Sequence, residues 1–342
     1  MGDVVKKRDA SVEALRCFLM FLIVMHHVFI RGPWSYNQAL WALPFTCLIA
    51  WHVDGFTAIS GWFGINFTWR KFFRLWCLMA YYTLFNAVMG YIVFDMPFTA
   101  KSFVISGGWY GETYLALMLL SPFLNAGVNA LSEKGEVGRV WLLFALMITL
   151  SWAPLHFMSA VSPRGAGQFS LLTMVFVYVS ARIVRIKMDV PLPARKLILG
   201  PVFFFTAILV IGGLKVLLGY IRAEHNPCCA AAWEWLSYYD APHVWVMAIS
   251  ILLMFAWYIK PYAWLGRCCC LFGPTMFSVY LLHESAWGEV AVYKFQKLLH
   301  SYFAVHPSVI VVLSAIIVFI CCVAIDMPRR FVVRMIDRMR RG

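Results

Sequence analysis

Hydrophobic residues occur along this chain in long runs that are separated by short polar or Pro/Gly breaks. About 20 apolar residues is the length that a helix needs to cross the hydrocarbon core of a bilayer. The pattern therefore predicts an all-α, polytopic transmembrane helical bundle. Ten spans are predicted, at about 11–31, 48–69, 72–94, 102–124, 139–158, 167–186, 197–219, 241–260, 267–285 and 306–326. Residues 34–47 are apolar but contain Pro44, which favours an interfacial or re-entrant segment.

Lys and Arg residues are concentrated in alternate predicted loops. Of the 29 in the chain, 22 fall on the side that holds both termini and 7 fall on the other side. Because cytoplasmic loops of membrane proteins are enriched in Lys and Arg, both termini are predicted to be cytoplasmic, with an even number of spans. We expect a single membrane domain over residues 1–330 and a basic cytoplasmic tail over 331–342 that lies against anionic lipid headgroups.

Composition supports a membrane protein and excludes several other classes. The chain is 62% hydrophobic and only 13% charged, whereas about a quarter of the residues of a soluble protein are charged. The net charge of +13 has no basic patch interleaved with aromatic residues, so no nucleic-acid partner is expected. The ten cysteines show no CxxC or Cys/His metal spacing, and no metal is expected. Only Cys228 and Cys229 fall in a predicted outer loop where a disulfide can form.

The first predicted helix carries two polar residues on one face. Arg16 and His27 are eleven residues apart in a segment that is otherwise almost wholly apolar. Eleven residues complete close to three turns and separate these side chains by roughly 16 Å along the helix axis. Exposing such groups to lipid is unfavourable, so we expect both to face protein or a cavity. The predicted direction puts Arg16 near the cytoplasm and His27 near the outer surface.

Titratable residues from three distant spans are predicted to lie in one layer near the outer surface. His27 is near the end of the first span, Asp54 near the start of the second, and His283 and Glu284 near the end of the ninth. A carboxylate that accepts a hydrogen bond from one imidazole nitrogen makes the other nitrogen a better base, which suits deprotonation of a hydroxyl. Glu112, predicted in the middle of the fourth span, must be paired or protonated there.

Five segments of the chain resemble sequence motifs that occur together, in the same order, in one protein family. They are RDASVEALRCFLMFLIVMHHV, HVDGFTAISGWFG, RKFFRLW, GGWYGETYLALMLLSPFLN and SVYLLHES. The first has an Arg, ten residues and a His, and the second ends its helix in Ser-Gly at Ser60 and Gly61. Together with ten predicted spans, these segments resemble the integral-membrane acyltransferases called acyltransferase family 3.

The resemblance implies transfer of an acyl group, commonly acetyl, from cytoplasmic acyl-CoA to a hydroxyl of a sugar. The acceptor is expected in an exopolysaccharide or lipid-linked glycan on the outer face of a bacterial inner membrane. Catalysis is assigned to His27, oriented by Asp54, with assistance from His283 and Glu284. The expected donor-phosphate ligands are Arg16, Arg70, Lys71 and Arg74. The expected acceptor-binding residues are Ser60, Trp109, Tyr110 and Glu112.

Several alternatives remain open from the sequence. A proton-coupled transporter or flippase for a glycan or lipid-linked sugar also uses intramembrane His, Asp and Glu residues, although no internal repeat is apparent. A receptor or structural membrane protein does not need both a layer of titratable residues near the outer surface and a group of basic residues on the cytoplasmic side. Within the enzyme class, the donor is acetyl-CoA, succinyl-CoA or a longer acyl-CoA, and transfer is direct or passes through an acyl-enzyme. The acceptor and the oligomeric state are not determined.

Overall fold

The computed structural model describes residues 8–33, 43–152, 170–188, 190–221, 236–302 and 306–339, and within these ranges all regular structure is helical. Cys228, Cys229 and residues 34–42 of the predicted re-entrant segment lie outside the described ranges. The α-helices are α1 Ala10–Ile30, α2 Leu43–Ile49, α3 His52–Phe63, α4 Trp69–Phe94, α5 Gly108–Glu133, α6 Val137–Trp152, α7 Leu171–Lys187, α8 Ala194–Leu197, α9 Leu199–Ile221, α10 Pro242–Trp257, α11 Ala263–Phe272, α12 Met276–His283, α13 Ala286–Tyr302 and α14 Pro307–Met339.

Six helical segments in the described ranges are long and apolar enough to cross a membrane, fewer than the ten that the sequence predicts. They are Ala10–Ile30, Trp69–Phe94, Gly108–Glu133, Ala194–Leu214, Ala263–His283 and Pro307–Ile336. The predicted span 48–69 is instead divided between α2 and α3, because a turn interrupts the helix at residues 50–51 and Gly64, with φ of 71°, ends α3. The orientation across the membrane stays a prediction.

The chain divides into two compact units. The first consists of residues 1–34, 77–108 and 260–342, and the second consists of residues 35–76 and 109–259. Two of the unit boundaries fall inside α4 and at the start of α5. Each unit is described separately below.

Helix α1 is the central element of the first unit. Its N-terminus is capped by Asp9, whose carboxylate accepts hydrogen bonds from the backbone N–H groups of Ser11 and Val12. The helix packs against α11, α12 and α14, and side chains such as Leu19 and Val24 are fully buried. A helix that is apolar on nearly every face is buried by its neighbours. This burial holds both Arg16 and His27 at fixed positions along α1.

A buried polar network joins α14 to two other helices of the first unit. The fully buried Asp326 accepts hydrogen bonds from the Tyr82 hydroxyl at 2.5 Å and from Arg329 Nε at 2.7 Å. Arg329 Nη2 also donates to the Ser278 hydroxyl at 3.3 Å. A buried ion pair is tolerated only when such hydrogen bonds satisfy its members. The network therefore fixes α12, which carries Ser278, against α4 and α14.

The second unit is built around the close contact of α3 with α7. Gly61 allows this contact, because a Cβ atom at that position would lie only 2.2 Å from the backbone carbonyl oxygen of Tyr178. The Tyr178 hydroxyl accepts a hydrogen bond from the backbone N–H of Ile65 and donates one to Asn125 Oδ1. The glycine of the Ser-Gly signature is thus explained by helix packing.

We expect Gly61→Ala to destabilise the protein by about 3 kcal/mol, because the backbone of α7 would have to move to admit the methyl group. Gly127→Ala is the matched control, since a Cβ at this helical glycine meets no atom within 4 Å. The control is expected to be neutral or stabilising by roughly 0.5–1 kcal/mol. Thermal unfolding of both variants in detergent measures the difference. Equal stability of the two variants would contradict this role of Gly61.

Candidate active site

The end of α1 and the end of α12 bring together three titratable side chains in the first unit. His27 Nδ1 lies 2.9 Å from His283 Nε2, and it also contacts Glu284 Oε1. The two imidazole centroids are 5.1 Å apart. His283 is 3% exposed, whereas the side chains of His27 and Glu284 are 18% and 21% exposed. The cluster is therefore held by buried helices but remains accessible at His27 and Glu284.

The hydrogen bonds of this cluster assign the imidazole tautomers. His283 Nδ1 lies 2.7 Å from the carbonyl oxygen of Val279, which can only accept, so Nδ1 carries the proton. In neutral His283, Nε2 is then an acceptor that faces His27 Nδ1. His27 Nδ1 must therefore be the donor to His283, and Glu284 Oε1 lies against the same nitrogen. The lone pair of neutral His27 is consequently on Nε2, which is the arrangement of a general base.

Arg31 extends the cluster and was not among the predicted site residues. Its Nη2 lies 2.9 Å from Glu284 Oε2 and 3.1 Å from Glu289 Oε1. A permanent cation beside Glu284 favours the ionised carboxylate, whose negative charge lies against His27 Nδ1. One sequence signal was present: Arg31 follows His27 by four residues, which places both on the same helical face.

The same three residues also have the ligand types of a metal site. Their ligand atoms, from His27, His283 and Glu284, all lie within 4.8 Å of one another. Two imidazoles and one carboxylate suit several transition metals. However, the imidazole nitrogens are at hydrogen-bond distance, and the Arg31 guanidinium on Glu284 opposes a second cation. The geometry therefore fits proton transfer better than metal binding.

Arg16, the predicted donor ligand on α1, is positioned by an acidic neighbour. Its Nη1 donates to Glu13 Oε1 at 2.6 Å, and Arg8 Nη1 reaches the same oxygen at 3.1 Å. Glu13 is buried, whereas the Arg16 side chain is 26% exposed. The two guanidinium groups and the single carboxylate give this group of three side chains one net positive charge. The Arg8–Glu13–Arg16 group thus holds the Arg16 guanidinium against Glu13 and leaves the Arg16 side chain partly exposed.

Asp54, predicted to orient His27, lies in the second unit. It is 3% exposed and close to a second buried carboxyl group, that of Asp240. Burial raises the pKa of Asp240 to about 6, although a backbone hydrogen bond lowers it in part. The carboxylate that contacts His27 in the structure is that of Glu284. The pairing of Asp54 with His27 joins the two units and stays a prediction.

The predicted acceptor residues also belong to the second unit. Trp109 is stacked on Tyr239 with ring centroids 5.7 Å apart, and Tyr110 is stacked on Tyr114. The Ser60 hydroxyl is hydrogen bonded to the carbonyl oxygen of Phe56 and is 3.2 Å from the Tyr114 hydroxyl. These aromatic contacts organise the start of α5. The roles of Ser60, Trp109 and Tyr110 in acceptor binding stay predictions.

The prediction that Glu112 lies in the middle of a span is wrong. Helix α5 begins at Gly108, six residues later than predicted, because Phe103, Val104 and Ile105 belong to a 3₁₀ turn and a loop. Glu112 is therefore near the N-terminus of α5, where its side chain is exposed. A carboxylate is favourable at this end of a helix dipole. The structure removes the need for a buried partner at this position.

The basic residues predicted to bind the donor begin α4 in the second unit. Arg70, Lys71 and Arg74 are all exposed. The Lys71 ammonium group donates to the carbonyl oxygen of Asn66 at 2.8 Å. Their common position at one helix start is consistent with an anion-binding surface, and this role stays a prediction.

The apolar helices and the imidazole–carboxylate cluster define a multi-pass membrane protein with a site equipped for proton transfer. Residues 9–327 match the acyltransferase domain of acyltransferase family 3. This match covers nearly the whole chain, so the chain belongs to this family of membrane acyltransferases. The comparison with curated proteins and the comparison with solved structures each found no match.

Proposed function

We propose that the chain is an O-acyltransferase of the cell membrane that transfers an acyl group, acetyl in the first instance, from cytoplasmic acyl-CoA to a sugar hydroxyl. The acceptor belongs to an exopolysaccharide or a lipid-linked glycan on the outer side. One observation carries this proposal beyond family membership: His27 Nδ1 is engaged by His283 and Glu284, so that Nε2 provides the basic lone pair.

In the proposed step, His27 Nε2 removes the proton of the acceptor hydroxyl as its oxygen attacks the thioester carbonyl carbon. The new carbon–oxygen bond forms and the carbon–sulfur bond breaks. The proton then passes from Nε2 to the departing coenzyme A sulfur. Glu284 stabilises the imidazolium that forms in between, and Arg31 holds Glu284 in place. Direct transfer by this route needs no acyl-enzyme intermediate.

On the donor side, the proposal assigns coenzyme A phosphates to Arg16 and to the basic start of α4, at Arg70, Lys71 and Arg74. Arginine guanidinium groups bind phosphate oxygens through two parallel hydrogen bonds, and Lys71 adds a point charge. Arg16 and His27 lie on one buried helix, with Arg16 toward the donor side. The thioester must therefore reach along α1 from Arg16 toward His27.

Acetyl transfer by the purified protein in lipid nanodiscs tests the proposed function. Acetyl-CoA with a radiolabelled acetyl group is supplied with a set of methyl glycosides, and acetylated sugar and free acetate are measured separately. We expect coenzyme A to be released with and without a glycoside. Its release is expected to be faster when a glycoside is present. Proton-driven movement of a lipid-linked sugar without consumption of acetyl-CoA would instead establish a transporter.

We expect Arg16→Gln to weaken acetyl-CoA binding about ten-fold, which corresponds to the loss of one charge-assisted contact with phosphate. Arg139→Gln is the matched control, because Arg139 is exposed on the same predicted side and is paired with Glu136. The control is expected to change affinity less than two-fold. Equilibrium binding of labelled acetyl-CoA measures both. Unchanged affinity in Arg16→Gln would refute the assignment of Arg16 to the donor.

A further inference from the structure

A pocket of about 490 Å³ lies wholly within the first unit, beside the imidazole–carboxylate cluster. It is bounded by the second half of α4, the connection from α4 to α5, and the junction of α12 with α13. Pockets of this size suit small ligands. Neither the family match nor the sequence motifs assign a ligand to it.

Two pocket residues connect this space to the site at His27. Glu284 lines the pocket and contacts His27 Nδ1. Tyr280 also lines it, and its ring lies edge-on to that of His283 with centroids 6.0 Å apart. Gly108 permits the close approach of the Tyr280 hydroxyl, because a Cβ there would lie 2.7 Å from it. A ligand in the pocket is therefore adjacent to Glu284, which contacts the proposed base.

The pocket wall carries hydroxyl groups that are held in place by other polar groups. The Thr83 hydroxyl accepts a hydrogen bond from the backbone N–H of Ser106, and the Ser106 hydroxyl accepts one from Gly108. Ser102 Oγ similarly accepts from the backbone N–H of Thr99. These bonds fix the hydroxyl groups along the pocket wall. Such a wall offers hydrogen-bonding groups to a polyhydroxyl compound.

An aromatic residue completes the pocket on the α13 side. The indole N–H of Trp287 donates to Asn86 Oδ1 at 2.9 Å, and Asn86 Nδ2 donates to the carbonyl oxygen of Leu281 at 2.9 Å. These bonds fix the indole ring, whose apolar surface can pack against the C–H face of a sugar. Aromatic and hydroxyl groups that line one pocket match the mixed apolar and polar surface of a pyranose.

We propose that this pocket is the acceptor subsite and that it holds one sugar ring beside the imidazole–carboxylate cluster. The inference rests on the proposed function and specifies where and in which form the acceptor binds. Gly90 is its size-determining residue, because a Cβ at this position would lie 3.2 Å from Met96 Sδ and 3.7 Å from Trp287 Cβ, both of which line the pocket. A larger side chain at position 90 therefore occupies the space assigned to the sugar.

The test compares Gly90→Leu with Gly127→Leu in nanodiscs. Position 127 is a helical glycine with no atom within 4 Å of an added Cβ, so the control introduces the same side chain without filling a pocket. Acetyl transfer to methyl glycosides and acetate release in the absence of sugar are measured for each protein. We expect Gly90→Leu to lower sugar-dependent transfer at least ten-fold and to lower sugar-independent acetate release by a smaller factor.

Each outcome of this test decides the inference. Undiminished sugar transfer in Gly90→Leu, or an equal loss of transfer and acetate release in a folded variant, would overturn the pocket assignment. His27-dependent acetate release with no transfer to any glycoside would overturn the sugar assignment. Failure of the wild-type protein to release coenzyme A at all would instead refute the proposed function. Ala87→Leu, at another residue that lines the pocket, repeats the test if Gly90→Leu does not fold.

Discussion

Replacement of His27 by glutamine is expected to reduce acetyl transfer about 1,000-fold. Glutamine approximates the size of the imidazole, but its amide has no basic lone pair at neutral pH. The loss lies within the range of roughly 100-fold to 10,000-fold that general base catalysis contributes. Donor affinity is expected to stay within two-fold, because His27 is about 16 Å from Arg16 along α1. Single-turnover transfer and equilibrium binding of acetyl-CoA separate the two effects.

His300→Gln is the control for loss of an imidazole, since His300 is exposed near the end of α13. It is expected to retain at least half of wild-type activity. His27→Gly provides a stronger test, because added imidazole can occupy the vacated space and restore part of the proton transfer. Activity near the wild-type level in His27→Gln would remove the proposed base and leave the family membership intact.

Glu284→Gln is expected to reduce the turnover number about 100-fold with little change in the KM for acetyl-CoA. The uncharged amide no longer stabilises the imidazolium, and its N–H₂ group can donate to His27 Nδ1 and favour the wrong tautomer. The loss is expected to be smaller than for His27→Gln, because His283 Nε2 still accepts from His27 Nδ1.

The structure offers a closely matched control in Glu289→Gln. Both carboxylates bind Arg31 Nη2, at 2.9 Å for Glu284 and 3.1 Å for Glu289, but the contact with His27 is made by Glu284. Glu289→Gln is therefore expected to lower turnover less than three-fold. Equal losses in the two variants would mean that neutralising Arg31, and not assisting His27, is the function of Glu284.

Local patterns predicted the elements of the site better than their contacts. The eleven-residue spacing placed Arg16 and His27 on one face of α1, and the apolar run around them predicted the helix within a residue at each end. The sequence also placed His283 and Glu284 at the depth of His27, and the structure brings these side chains together. Their catalytic roles stay predictions. Depth can be estimated from apolar runs because the bilayer sets one length for every span.

Features that depend on side-chain reach or on breaks in a helix were missed. Arg31 was not predicted as a site residue, because its contact with Glu284 requires two helix ends to meet. Helix α13 was predicted as an outer loop, since its mixed polar sequence lacks a long apolar run. Glu112 was placed too deep because hydropathy does not separate the apolar loop before Gly108 from the helix that follows. Each error concerns tertiary contacts or breaks in a helix. Neither can be read from the periodicity or the length of an apolar segment.

The burial of α1 has a consequence for donor choice. A helix packed on several sides cannot stretch or shorten. The separation of Arg16 and His27 along the axis of α1 is therefore fixed at roughly 16 Å. In the proposed reaction, a donor must carry its anionic group and its reactive carbonyl at the two ends of an arm of comparable length. Acetyl phosphate, in which the two are directly bonded, cannot reach both residues at once. In this proposal, the helix selects carrier-linked acyl donors by the length of the carrier.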